Sequence, residues 1–171
     1  MRKFIGLGAY LSVLATPAMA QQQAESVCLT TDEATALFAF ATPQALDGVI
    51  KSCKAALPGD AFLNKKGQET AQRYRQAAAG SWPSAKLAFL KLVGPGEEAK
   101  VIRGMSDKTM QPFVAEMFTG VVAKDVKPET CPKIDRVVAA LAPLPAADVA
   151  PLLVSLMDLV DEKGTGKFSI C

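Results

Sequence analysis

From residue 30 onward the apolar positions recur at steps of three and four, the period of an amphipathic helix. Thr30 and Glu33 have the spacing of a capping box, and Ala34, Leu37, Phe38 and Ala41 follow on one face. Thr42-Pro43 reads as a fresh start, an N-cap followed by proline at the first helical position. Leu46, Val49, Ile50, Cys53 and Leu57 continue the period until Leu57-Pro58-Gly59 stops it. A longer, more polar helix is expected over 61–79, with Leu63, Gly67, Ala71, Tyr74 and Ala78 as its stripe.

Gly80-Ser81-Trp82-Pro83 breaks that helix, and short helices are expected over 84–93 and 97–105. Met110, Phe113, Val114, Met117 and Phe118 define the next, closed by Gly120. Thr130-Cys131-Pro132 opens a helix with Ile134, Val137, Val138 and Leu141 facing in, ended by Pro143 and Pro145. Asp148 caps a last helix carrying Val149, Leu152, Leu153, Leu156 and Val160, with Pro151 in its first turn. Seven or eight short helices joined by Pro/Gly turns predict an all-α single domain.

The first twenty residues do not belong to that pattern. Arg2 and Lys3 precede an apolar run of about twelve residues, and Ala18-Met19-Ala20 is a small-x-small cleavage site. This is the layout of a secretory signal peptide over 1–20, and Thr16-Pro17 cuts the run too short for a membrane span. Cleavage near Ala20 removes 20 of 171 residues and leaves 151, a length suited to one domain over 21–171. The expected location is the periplasm or the medium outside the cell.

The stretch 137–157 has Asp148 as its sole charge, but Pro143, Pro145 and Pro151 rule out a spanning helix. No transmembrane segment is expected in the mature chain.

Export changes the meaning of the four cysteines, because an oxidising compartment favours disulfides. Helix lengths favour consecutive pairs. Ten residues outward from the Cys28 end and ten back from Pro43 would bring Cys28 to Cys53, and the C-terminal hairpin would bring Cys131 to Cys171. The expected pairing is 28–53 and 131–171, one staple on each of two flanking helical hairpins.

Charge alters the picture again. The whole chain has 19 basic and 17 acidic residues, but two of the bases lie in the signal, so the mature chain is neutral. Nothing in that balance supports binding to nucleic acid. Its distribution is uneven: residues 51–91 carry eight bases and two acids, between acidic flanks. Lys65, Lys66, Arg73, Arg75, Trp82 and Lys86 in that block form the candidate binding surface, suited to an anionic envelope component. The Met/Phe face 105–118, with Met105, Met110, Phe113, Met117 and Phe118, is a second candidate, for an apolar ligand.

Candidate chemistry is sparse. The chain has no histidine, which removes Ser-His-Asp and Cys-His catalysis and the commonest metal ligand. Ser-x-x-Lys, Gly-x-Ser-x-Gly and P-loop patterns are absent from the sequence. Asp158, Asp161 and Glu162 share one helix face and are the metal candidate, without an EF-hand spacing to support them. No cofactor is expected. The sequence therefore reads as an exported, non-catalytic helical binding or interaction protein whose partner is an unidentified envelope or secreted protein. A carboxylate-dependent hydrolase is the alternative, and it requires two facing acids in a cleft.

Overall fold

The computed structural model describes residues 27–160 and 168–171, so the signal segment, Asp161 and Glu162 lie outside the described residues. Seven α-helices occupy the described chain: α1 (Thr31–Cys53), α2 (Phe62–Ala77), α3 (Trp82–Val93), α4 (Glu97–Arg103), α5 (Asp107–Asp125), α6 (Cys131–Leu141) and α7 (Ala146–Val160). A 3-10 turn at Pro128–Thr130 and two three-residue strands, β1 (Val27–Leu29) and β2 (Phe168–Ile170), accompany them. The fold is all-α, as the periodicity predicts.

The N-terminus of α1 forms as expected. Thr30 Oγ1 accepts from the Glu33 N–H, and Glu33 in return accepts from the Thr30 N–H, a complete capping box. The expected break at Thr42-Pro43 does not occur, and α1 runs through it as one helix of 23 residues. Proline removes a backbone donor there. Side chains supply donors nearby: Thr42 Oγ1 donates to the Phe38 carbonyl at 2.6 Å and Gln44 Nε2 to the Phe40 carbonyl at 2.8 Å. In the same way α5 passes through Gly120 to Asp125.

This long α1 overturns the hairpin pairing. Cys28 and Cys53 stand at opposite ends of a helix about 34 Å long, beyond any disulfide's reach. The bonds are instead Cys28–Cys171 and Cys53–Cys131, with Cα atoms 5.9 and 5.5 Å apart. At the first, β2 pairs in parallel with β1, with Cys28 opposite Ser169 and Leu29 opposite Ile170. The Cys171 N–H donates to the Leu29 carbonyl at 2.9 Å. The second joins the end of α1 to the start of α6, both sulfurs in the core.

Most of the fold packs on α1, with α4 set against α3 and α6 chiefly against α2. The first half of α1, with Leu37 and Phe40, meets Trp82 and Phe89 of α3, Met110 and Val114 of α5 and Val154 of α7. Its second half, with Leu46 and Cys53, meets Leu63, Ala71 and Tyr74 of α2, Cys131 of α6 and Val149 of α7. Gly48 lets α5 approach closely, since a Cβ there would lie 2.6 Å from the Thr119 carbonyl oxygen. Ser52 Oγ donates to the Ala123 carbonyl across the same contact, at 2.7 Å.

The two C-terminal helices show their apolar residues on more than one side. On α7, Val149 and Val154 are buried, while Leu152, Leu156 and Leu159 are exposed, the last by 65%. On α6, Val137 is 57% exposed, so it does not face in as the stripe predicts. Among the described residues no helix is long and apolar enough to cross a membrane.

Candidate functional site

The basic block is mostly tied down. Lys66 pairs with Glu69 at 2.9 Å, Arg75 with Asp47 at 2.6 Å and Lys86 with Asp107 at 2.5 Å. Lys91 pairs with Glu33, and its hydrogen bond, followed by that from the Thr30 backbone, holds the Glu33 carboxyl below its ordinary value of 4.5. Glu69 is lowered in the same sense, chiefly by its hydrogen bond from Lys66. Lys65 has no ion-pair partner among the described residues.

Trp82 is 7% exposed, with its ring tilted at 47° to that of Phe40 and centroids 4.9 Å apart, so it belongs to the core and not to a surface. Its Nε1 donor has no hydrogen-bond partner among the described residues. Trp82 therefore does not share an exposed face with Lys65, Lys66, Arg73, Arg75 and Lys86.

Much of the Met/Phe face is also turned inward. Met110 is fully buried, and Met105, Met117 and Phe118 pack against the first core cluster. Phe113 alone of the five is fully at the surface, at 44% exposure.

Asp158 is exposed on α7, and its two proposed co-ligands lie outside the described residues. Among the described residues no three carboxylates or thiols converge as a metal site would require. Two acids, Asp60 and Asp135, do share a shallow cleft with Arg136. Asp135 has a structural task there: its Oδ1 accepts from the Leu63 N–H at 2.7 Å. Ala61, at the N-cap of α2, has no side chain to offer, so α6 caps α2 from a distance.

A site that the sequence did not single out lies along α1. Thr35, Ala39, Thr42, Ala45 and Val49 recur at steps of three and four and line two adjoining cavities, of about 130 and 160 Å³. Both are walled by Thr42, Tyr74 and Val149, so they are two chambers of one groove. The first is closed by Ala77 at the end of α2, by Ala78 just beyond it, and by Ala146, Ala147 and Ala150 of α7. The second is closed by Val138 and Leu141 of α6 and is lined almost wholly by carbon.

The groove exists because α6 packs on α2 while α7 packs on α1, leaving a wedge between them. In the first chamber the alanines at the contacts are too small to fill it. Alanine favours helix; its second effect here, room between helices, depends on packing partners that periodicity does not identify.

Arg73 stands beside Tyr74 but is not among the residues that line either chamber. The Arg73 guanidinium lies 5.7 Å over the Tyr74 ring and donates to the Ala142 carbonyl at 2.6 Å, next to Leu141 of the second chamber. Tyr74 Oη reaches the Leu141 carbonyl at 3.4 Å. Glu69 feels the Arg73 charge but is hydrogen-bonded to Lys66.

Fold and site together describe an all-α scaffold, disulfide-tethered at both ends of its central helix, with an apolar groove along that helix. No family model, curated protein or solved structure matches the chain.

Proposed function

We propose that the chain is exported, cleaved near Ala20, and works outside the cytoplasm as a non-catalytic binding protein. The observation that carries this reading is the groove on α1. It is concave, apolar and walled by four helices, and the covalent tether from Cys53 to Cys131 pins the start of α6, one of its walls. Preorganised apolar pockets of this kind bind ligands with little ordering cost. Two paired disulfides suit an oxidising compartment, in keeping with the signal-like N-terminus.

Two measurements test the reading. N-terminal sequencing of the protein from its native host should begin at Gln21, and a cytoplasmic, uncleaved chain would overturn export. An apolar fluorescent dye should bind the folded, oxidised protein at one site, and Ala147→Phe together with Ala45→Phe should remove that site by filling both chambers. Dye binding that both substitutions leave unchanged would overturn the groove as the binding site.

A further inference from the structure

We infer that the Cys28–Cys171 disulfide is a redox latch: its reduction by a dithiol frees β2 from β1 and uncovers Leu29, and the opening stops at Thr30. This device is independent of the groove. Access separates the two disulfides. Cys28 and Cys171 are both exposed, whereas Cys53 and Cys131 are fully buried, so an external thiolate meets one bond and not the other.

The latched element is small. β2 lies chiefly against β1 and pairs with it in parallel over three residues. Two short strands are marginal on their own, and a parallel pair is the weaker kind. The pair also reaches the core: Leu29 is fully buried, and Ile170 packs against the first core cluster. Release of β2 takes Ile170 away from that cluster and leaves the Leu29 carbonyl without its donor, the Cys171 N–H.

The next element along the chain is secured without the latch. Thr30 and Glu33 cap α1 between themselves, the Ala34 N–H donates to the Thr30 carbonyl at 2.9 Å, and Lys91 of α3 holds Glu33. None of these bonds involves β1 or β2. At the far end of α1, Cys53–Cys131 still ties it to α6. The fracture line therefore falls between Leu29 and Thr30.

The exchange balances between the disulfide and its reductant. One thiolate of the dithiol attacks a protein sulfur, the S–S bond breaks, and the second protein sulfur leaves with the electron pair. The dithiol's other thiolate then displaces the first protein sulfur. The protein gains two electrons and two protons as the Cys28 and Cys171 thiols, and the dithiol becomes a disulfide.

Amide exchange at neutral pH tests the latch on three samples: the oxidised protein, the same protein after limiting dithiothreitol, and the variant Cys28→Ser with Cys171→Ser. The amide at position 171 should be protected in the first and lose its protection in the other two. Ala34 and the interiors of the helices should stay protected in all three, and reoxidation of the second sample should restore position 171. Protection at 171 that outlasts the bond would show strand pairing to be self-sufficient and overturn the latch. Loss of protection that spreads to Ala34, in the reduced protein as in the variant, would make the bond a staple of the whole fold and overturn it equally. Opening of Cys53–Cys131 ahead of Cys28–Cys171 would do the same.

Discussion

Gly48 and Gly120 lie on the two helices of one crossing, and their surroundings give them opposite expectations. A Cβ at Gly48 would sit 2.6 Å from the Thr119 carbonyl oxygen and 3.1 Å from Val122 Cβ, whereas one at Gly120 meets nothing within 4 Å. Gly48→Ala should therefore push α1 and α5 apart and cost about 1–3 kcal/mol. Gly120→Ala should stabilise by about 0.5–1 kcal/mol, because a helical position gains from losing glycine's backbone entropy. Denaturant midpoints of the two variants, moving in opposite directions, would check both. A shared direction would mean that the crossing is looser than its contacts describe. Periodicity reads Gly120 as a helix end and passes over Gly48, and only the crossing shows which of the two is needed.

At the scale of elements, most helix starts and stops were legible, and the exceptions have physical causes. Pro43 carries a helix-start signature, but Thr42 and Gln44 cover carbonyls around it and the flanking turns are held by core contacts, so propensity loses to packing. The apolar stripes of α6 and α7 are broader than their contacts, which left Val137, Leu152 and Leu156 outside the core.

The cap on α2 was invisible for a different reason, since Asp135 is 72 positions from Leu63 in the chain. Asp135→Ala should cost about 1 kcal/mol and increase amide exchange in the first turn of α2, while Asp135→Asn should retain most of the cap.

At the start of α1, the lowered Glu33 carboxyl has a definite linkage sign. A carboxyl held below its unfolded value adds stability above that value and loses it as pH falls through the folded one. Acidification below about 4.5 should thus loosen the first turn of α1, and Glu33→Gln should flatten that response. Amide exchange at Glu33 and Ala34 against pH would show it; an unchanged profile in Glu33→Gln would exclude Glu33 as the source.

For the whole molecule, the disulfides set the behaviour under reduction. They close chain segments of 143 and 78 residues, each constraining the unfolded chain by about 4–5 kcal/mol in the chain-entropy account. Their surroundings differ. Cys53 and Cys131 are fully buried, while Cys28 and Cys171 are exposed. Mild reductant should open Cys28–Cys171 first and leave Cys53–Cys131 intact until the fold loosens. Timed alkylation with peptide mapping would order the two, and early labelling of Cys53 would contradict the burial argument.

The unbroken length of α1 also bears on how the right thiols find each other. Under the proposed export from the N-terminus, Cys28 and Cys53 would emerge before Cys131 and Cys171, so the earliest available bond would be a wrong one. Helical turns close in about a microsecond, while disulfides form and reshuffle over seconds to hours. Once α1 is helical it works as a ruler, holding the two early thiols apart until their true partners arrive. Partner choice is then made by backbone geometry ahead of oxidation, and a variant that breaks α1 at its centre should accumulate the 28–53 isomer.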